Sequence, residues 1–253
     1  MLESNIIFLV VFMDKLTGLV RRCIEDYQMI GDGETIAVGV SGGKDSIALL
    51  CSLANLRGYH PKRFKLHAVT LDMGFDGMDF LPVERLCAEL DVPYTLRRTD
   101  IGRVIFEDRN EKNPCSLCAK MRRGALNDMI TELGIKKIAL AHNYDDAVET
   151  FMLSLLFEGR INCFRPVTSL SRSGVTQIRP MVYAAEATVK KLVEKCSLPV
   201  VYNLCPMNGA SKREEVKTLL KTLSMSYPDL KNKIFGAMRR LPLDGWEQLA
   251  IDN

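Results

Sequence analysis

The chain has 253 residues, 47% of them hydrophobic and 26% charged, with a formal net charge of +3. These are the proportions of an ordinary globular domain, and they exclude a disordered, collagen-like or coiled-coil chain. The small positive excess tolerates a polyanionic partner without demanding one, and the length suits a single α/β domain.

The first apolar run, residues 6–13, is too short to span a bilayer. Glu3 precedes it with no Lys or Arg, and no small-residue cleavage site follows, so it does not read as a signal peptide. The expectation is a cytoplasmic chain with no membrane partner, in which Met13 offers a second start and residues 1–12 form an extension. Residues 35–40 (TIAVGV) make a short β-branched strand bounded by glycines. A helix follows from Asp45 to about Arg57, with apolar residues at helical spacing. Residues 65–72 (KLHAVTLD) are a second strand, 79–90 a helix and 93–99 a third strand. Residues 137–141 (KIALA) are a fourth, entered from a helix that Gly134 ends. Helix 146–158, strand 177–183 and helix 184–196 follow, and residues 227–249 read as a short amphipathic helix packed back on the core. Strand and helix alternate, which implies right-handed crossovers and a parallel sheet covered by helices on both faces. Ligands of such sheets sit beyond the carboxyl ends of the strands, here after Val40, Asp72 and Ala141.

Ser41-Gly42-Gly43-Lys44-Asp45-Ser46 lies at the first of these places. Adjacent glycines turn the backbone tightly and bare consecutive N–H groups to an anion. The helix N-terminus adds its dipole and Lys44 a full charge. A plain Gly-rich turn capped by Ser41 or Asp45 is the bland alternative, and neither GxxxxGK[ST] nor GxGxxG is present. The motif resembles the pyrophosphate loop of the N-type ATP pyrophosphatases. That resemblance implies a Rossmann-like, adenine nucleotide alpha hydrolase-like sheet and cleavage of ATP between its α- and β-phosphates, with transfer of AMP to an oxygen.

Eight cysteines are too few for a disulfide scaffold, and in a reducing compartment clustered thiols read as metal ligands or catalysts. Cys115-Ser116-Leu117-Cys118 starts a helical stretch, so both sulfurs share a face, with Lys120, Arg122 and Arg123 close by to favour thiolates. The pair alone leaves zinc, a redox dithiol, an iron–sulfur cluster and a persulfide carrier open. No second CxxC exists and the three histidines stand far from ligand spacing. Cys205 is the remaining loop cysteine; Cys51, Cys87 and Cys196 read as packing residues, and Cys163 leans the same way. The order of several motifs carries a narrower resemblance: CxxC followed by Lys120-Met121-Arg122-Arg123-Gly124, then Ala141-His142, Asp145-Asp146 with Glu149-Thr150, Ile178-Arg179-Pro180, and Asn203-Leu204-Cys205. It is similar to the TtcA-like tRNA 2-thiocytidine synthetases.

What that resemblance implies can be stated residue by residue. Cys115, Cys118 and Cys205 would hold a [4Fe-4S] cluster, and residues 41–46 with His142 and Asp145 would bind ATP and Mg²⁺. Asp146, Arg122 and Lys44 would carry the catalysis, Arg122 by steadying the departing pyrophosphate. A competing structural reading makes Asp146 and Glu149 a capping box. The domain layout would be an extension and helix over 1–30, a pyrophosphatase domain with the cysteines over 31–220 and a helical tail over 221–253. The expected activity is ATP-dependent 2-thiolation of a tRNA pyrimidine, with cytidine implied, and the expected partners are tRNA, a cysteine desulfurase or other sulfur donor, and a second copy in a homodimer. Two alternatives stand beside it: an adenylating sulfurtransferase or amidotransferase of a small molecule, and a non-catalytic nucleotide-binding iron–sulfur protein.

Overall fold

The computed structural model describes residues 15–109, 114–207 and 212–240. The extension over residues 1–12, the second start at Met13 and the tail beyond Arg240 lie outside them. Helix α1 covers residues 15–26, and strand β1 (Glu34–Gly39) then begins a six-stranded sheet of order β3-β2-β1-β4-β6-β5. Its other strands are β2 (Phe64–Asp72), β3 (Tyr94–Arg98), β4 (Lys137–Ala139), β5 (Val167–Leu170) and β6 (Val175–Ile178). Five of the six run parallel, as expected; β5 pairs antiparallel with β6.

Burial explains the order. Ile36, Ala37 and Val38 of β1 are fully buried, because the sheet's centre is covered on both faces and alternation of polar with apolar residues is not needed there. One face packs on α2 (Lys44–Arg57) and α7 (Glu186–Lys195); α2 is apolar nearly all round and nine of its residues are buried. The other face supports α5 (Pro114–Glu132), whose Met129 and Ile130 meet Ala37, Val69 and Ile138. Helix α3 (Leu81–Glu89) flanks β3, while α8 (Lys212–Ser226) and α9 (Leu230–Arg240) pack on α6 (Tyr144–Leu153). Within the 227–249 stretch read as an amphipathic helix, α9 is amphipathic and buries Phe235 and Met238, and the residues beyond Arg240 lie outside the described ones. Gly134 takes φ +70 just after α5, and Ile135 N–H closes on the Ile130 carbonyl.

Several elements depart from the sequence reading. The strand expected over 177–183 stops at Ile178: Arg179 N–H bonds the Pro166 carbonyl, Pro180 has no N–H for a ladder, and the chain turns. The helix expected from Asp146 starts at Tyr144, and its last turn widens to a π-helical one over Ser154–Glu158 before Gly159 ends it at φ +63. A helical turn at Ile101–Arg103, here α4, runs into a second π-helical turn over Val104–Asp108. Cys196 sits at the C-cap of α7, half-buried, rather than inside the helix.

Candidate nucleotide site and its cysteine rim

β1 delivers Ser41, Gly42 and Gly43 to the sheet's carboxyl edge, where α2 begins. Gly42 takes φ +84, and a Cβ there would lie 2.7 Å from Val201 Cβ, so only glycine fits. Val201 N–H bonds the Gly42 carbonyl at 2.9 Å and fixes the approach. Ser46 Oγ donates to the Gly43 carbonyl at 2.8 Å, and Ser41 Oγ donates to Ser46 Oγ at 3.2 Å. Gly43 is the N-cap and no side chain caps α2, so neither Ser41 nor Asp45 plays that part, and the helix end is left to an anion.

Lys44 Nζ does not point free into solvent. It pairs with Asp45 at 2.7 Å and with Glu186, the first residue of α7, at 2.9 Å. Burial pulls its pKa down, but the two carboxylates outweigh that and hold it above the ordinary lysine value. Glu186 also receives Lys217 of α8 at 3.1 Å, and the two lysines overcome its burial to keep its carboxyl below the usual range.

Asn143 is the N-cap of α6. Its Oδ1 accepts from Asp146 N–H at 3.0 Å, and Asp146 Oδ2 accepts from Asn143 N–H at 2.9 Å. The capping box is therefore Asn143–Asp146, three residues before the Asp146–Glu149 box expected from the sequence. Asn143 Nδ2 donates to Asp45 Oδ1 at 3.0 Å, which ties the starts of α2 and α6 together. Asp145 accepts from Glu186 N–H at 2.7 Å and from Lys231 Nζ at 2.6 Å. Arg213 bonds Asp146 Oδ1 at 2.8 Å and Thr150 Oγ1 at 3.1 Å, and lies 3.6 Å from Glu149. Burial raises the Asp146 carboxyl, opposed by the Asn143 N–H and Arg213. Burial also pushes Glu149 up to about 7, against Arg213 and with the Asp146 charge.

These elements border a cavity of about 630 Å³. Ser41, Gly43, Asp45, Ser46, His142 and Arg122 line it, whereas Gly42, Lys44, Asp145 and Asp146 stand behind the lining. The far wall is Phe164, Gln177, Arg179 and Arg123, with Val201 and Asn203 closing the side. The His142 ring lies 4.9 Å from that of Phe164, and Arg179 covers Phe164 at 5.1 Å. Burial, then Arg179, Arg213 and Arg122, push the His142 pKa down to about 3, and its buried Nδ1 has no hydrogen-bond partner. It is thus a neutral imidazole offering one unused polar atom. Burial also lowers Arg179 to about 10; its guanidinium donates to the Arg165 carbonyl at 2.6 Å and to Thr168 Oγ1 at 3.1 Å.

None of the three cysteines is a lining residue of the cavity, but each lies close in the chain to residues that are. Ala119 and Arg122, just beyond Cys118 on α5, line the cavity, as does Asn203, two residues before Cys205. Burial raises the Cys118 thiol, Arg122 opposes this, and the neighbouring Cys205 and Cys115 add to it. All three are free thiols; Cys115 is exposed and the other two half-buried. Among the described residues no three His, Cys, Asp or Glu side chains are close enough to enclose a metal ion, so the three sulfurs do not form a closed shell. As a donor set they fit an iron–sulfur cluster: three soft thiols, from α5 and from a loop far along the chain, near enough for Cys115 and Cys205 to act on Cys118. Cys163 is structural, its thiol donating to the Ala147 carbonyl and raised to about 12 by burial. Cys51 and Cys87 are buried packing residues as expected.

Sequence reasoning missed Glu186, Arg213, Lys217 and Lys231, which carry no local signal because each meets its partner from another element. Phe164 and Gln177 were also missed, while Arg179 was noticed only as part of a motif.

Residues 16–203 match the PP-loop domain family. The tRNA-cytidine(32) 2-sulfurtransferase of Pelobacter propionicus is 36% identical over 227 residues, covering 88% of this chain and 84% of that one. Its counterpart from Syntrophotalea carbinolica is 38% identical over 227 residues, covering 88% and 86%. The fold is that of the U34-tRNA thiolase NcsA from Methanococcus maripaludis, solved with its [4Fe-4S] cluster: TM-score 0.73 at 24% identity, over 91% of this chain and 78% of that one. The chain belongs to the PP-loop family, in the group whose curated members bear the name tRNA-cytidine(32) 2-sulfurtransferase.

Proposed function

We propose that the protein is an ATP-dependent sulfurtransferase that replaces the C2 oxygen of a tRNA cytidine with sulfur. The observation that carries this reading is a pyrophosphate-type loop on the border of a cavity that is also lined by Ala119 and Asn203, the near chain neighbours of Cys118 and Cys205, with Cys115 and Cys205 close enough to Cys118 to act on its thiol. A pyrimidine carbonyl oxygen is a poor leaving group, so it must first be activated. Its attack on the α-phosphorus of ATP releases pyrophosphate and leaves an O-adenylated base; a sulfur nucleophile at C2 then expels AMP.

The chain's own groups support the first half. The uncapped start of α2 and the Gly42–Gly43 turn face the phosphates, with Mg²⁺ completing the charge balance. Lys44 is held at that helix start by Asp45 and Glu186. Arg122, exposed at the cavity wall, meets the negative charge that develops as pyrophosphate leaves. Asp146 acts by holding the α6 start through Asn143 and Arg213 rather than by facing the cavity. Phe164 and His142, packed on each other, line the part of the cavity available to an unstacked base. Cys115, Cys118 and Cys205 would hold a [4Fe-4S] cluster, which when bound supplies an iron position free of protein ligands for the incoming sulfur. A cytoplasmic cysteine desulfurase or other donor would replenish that sulfur.

Nucleoside mass spectrometry of tRNA from a deletion strain tests the reading. A 2-thiocytidine that disappears and returns on complementation supports it, as does pyrophosphate release that needs both ATP and tRNA. An unchanged set of thiolated nucleosides overturns it.

A further inference from the structure

A second groove, of about 880 Å³, adjoins the cavity. It runs between α5 and the turn joining β5 to β6, and Arg123 lines both spaces. Helix α5 contributes Arg123, Asn127 and Asp128; the turn contributes Ser171, Arg172 and Ser173. The turn is fixed, since Gly174 takes φ +66 and its N–H bonds the Leu170 carbonyl at 2.9 Å. Arg123 and Arg172 are both exposed, and among the described residues neither has an ion-pair partner. One groove carboxylate, Glu132, is already neutralised by Arg97. Asn127 Oδ1 is buried without a hydrogen-bond partner.

The chemistry of this lining is particular. Two unpaired guanidinium groups with serine hydroxyls are the donors that protein–nucleic acid contacts direct at phosphates. The exposed Asp128 carboxylate is an acceptor, which a phosphate does not need but a ribose 2′-hydroxyl does. A base that enters the cavity unstacked brings its neighbouring phosphodiesters to the cavity's edge, and Arg123 lines both the cavity and this groove. We propose that this groove seats the ribose–phosphate strand flanking the target base, with Arg123 and Arg172 on successive phosphates and the exposed Asp128 accepting from a 2′-hydroxyl. The proposal rests on the tRNA reading above and adds where, and by which residues, the strand is held.

The test is binding of unmodified bulk tRNA to the full chain across a salt series, with Arg172→Ala and Arg172→Lys beside the wild type. Arg172→Ala is expected to weaken binding roughly fivefold to tenfold at low salt and to flatten the slope of log K against log salt by about one. Arg172→Lys should restore most of the slope, and ATP affinity should not change in either variant. A DNA copy of an anticodon stem–loop should bind more weakly than the RNA, and Asp128→Ala should shrink that preference. If wild-type protein binds tRNA in a salt-sensitive way and Arg172→Ala matches it in affinity and slope, the groove assignment is wrong while the sulfurtransferase reading stands. Wild-type protein that binds no tRNA overturns both.

Discussion

Glu149 permits a prediction whose size follows from the structure. Its side chain is 5% exposed, 3.6 Å from Arg213, and burial raises its pKa from 4.5 to about 7. The folded carboxyl therefore holds its proton more tightly than the unfolded one. By linkage this favours the folded state fully below about pH 4.5, and the advantage fades as pH rises through the folded value near 7. At about 1.36 kcal/mol per pH unit, the charged form at alkaline pH carries a penalty of roughly 3 kcal/mol. Glu149→Gln keeps the shape and removes the charge, and it also relieves the repulsion on Asp146. Urea unfolding of both proteins should show the variant gaining roughly 2–3 kcal/mol on the wild type between about pH 5 and pH 8.5. A difference constant across that range would refute the reasoning, because it would mean that Arg213 holds Glu149 ionised throughout. His142 cannot supply such a transition, since with a pKa of about 3 it stays neutral across the whole range.

Three further outcomes follow from the site. Lys44→Met should lower tRNA-dependent pyrophosphate release by roughly two orders of magnitude or more with unchanged far-UV circular dichroism, and a near wild-type rate would remove Lys44 from the chemistry. Gly42→Ala must adopt φ +84 with its Cβ 2.7 Å from Val201 Cβ, so a loss of about 1–3 kcal/mol in stability and weaker ATP binding are expected; an unshifted melting temperature contradicts this. After anaerobic reconstitution, Cys115→Ala, Cys118→Ala and Cys205→Ala should each lose bound iron and brown absorbance, while Cys196→Ala keeps both; iron retained by the Cys115, Cys118 and Cys205 variants would show that the thiols serve another purpose.

The alternation of strands and helices was legible because the sheet is buried on both faces, which forces short β-branched runs such as residues 35–40 between helical stretches. The pyrophosphate loop was legible because its chemistry is local: glycines, lysine and helix start are consecutive. What escaped was of two kinds. Where two local solutions compete, spacing cannot choose between them: apolar periodicity starts α6 at Asp146, but the Asn143 side chain captures the Asp146 N–H and begins the helix two residues earlier. Strand β5 carries only a four-residue run, none of it fully buried, so neither length nor periodicity marks it. The second kind is long-range. Nothing near Glu186 or Arg213 in sequence announces a partner, and only the packing of α7 on α2 and of α8 on α6 brings them to Lys44 and Asp146.

Those long-range pairs explain why the C-terminal helices belong with the nucleotide site. Four carboxylates gather where α6 and α7 begin: Asp145, Asp146, Glu149 and Glu186. Leaving buried carboxylates without counter-charge is costly. Each is met by a cation from α8 or α9: Lys231 on Asp145, Arg213 on Asp146 and Glu149, Lys217 on Glu186. The acids are thereby balanced within the protein and do not draw on the arginines of the cavity wall. Arg122 and Arg123 consequently keep their charge for a ligand, and among the described residues neither forms an ion pair. On the proposed function, a cavity that receives a polyphosphate and an unstacked base needs positive charge not already spent on its own carboxylates, and the α8–α9 pair secures that separation.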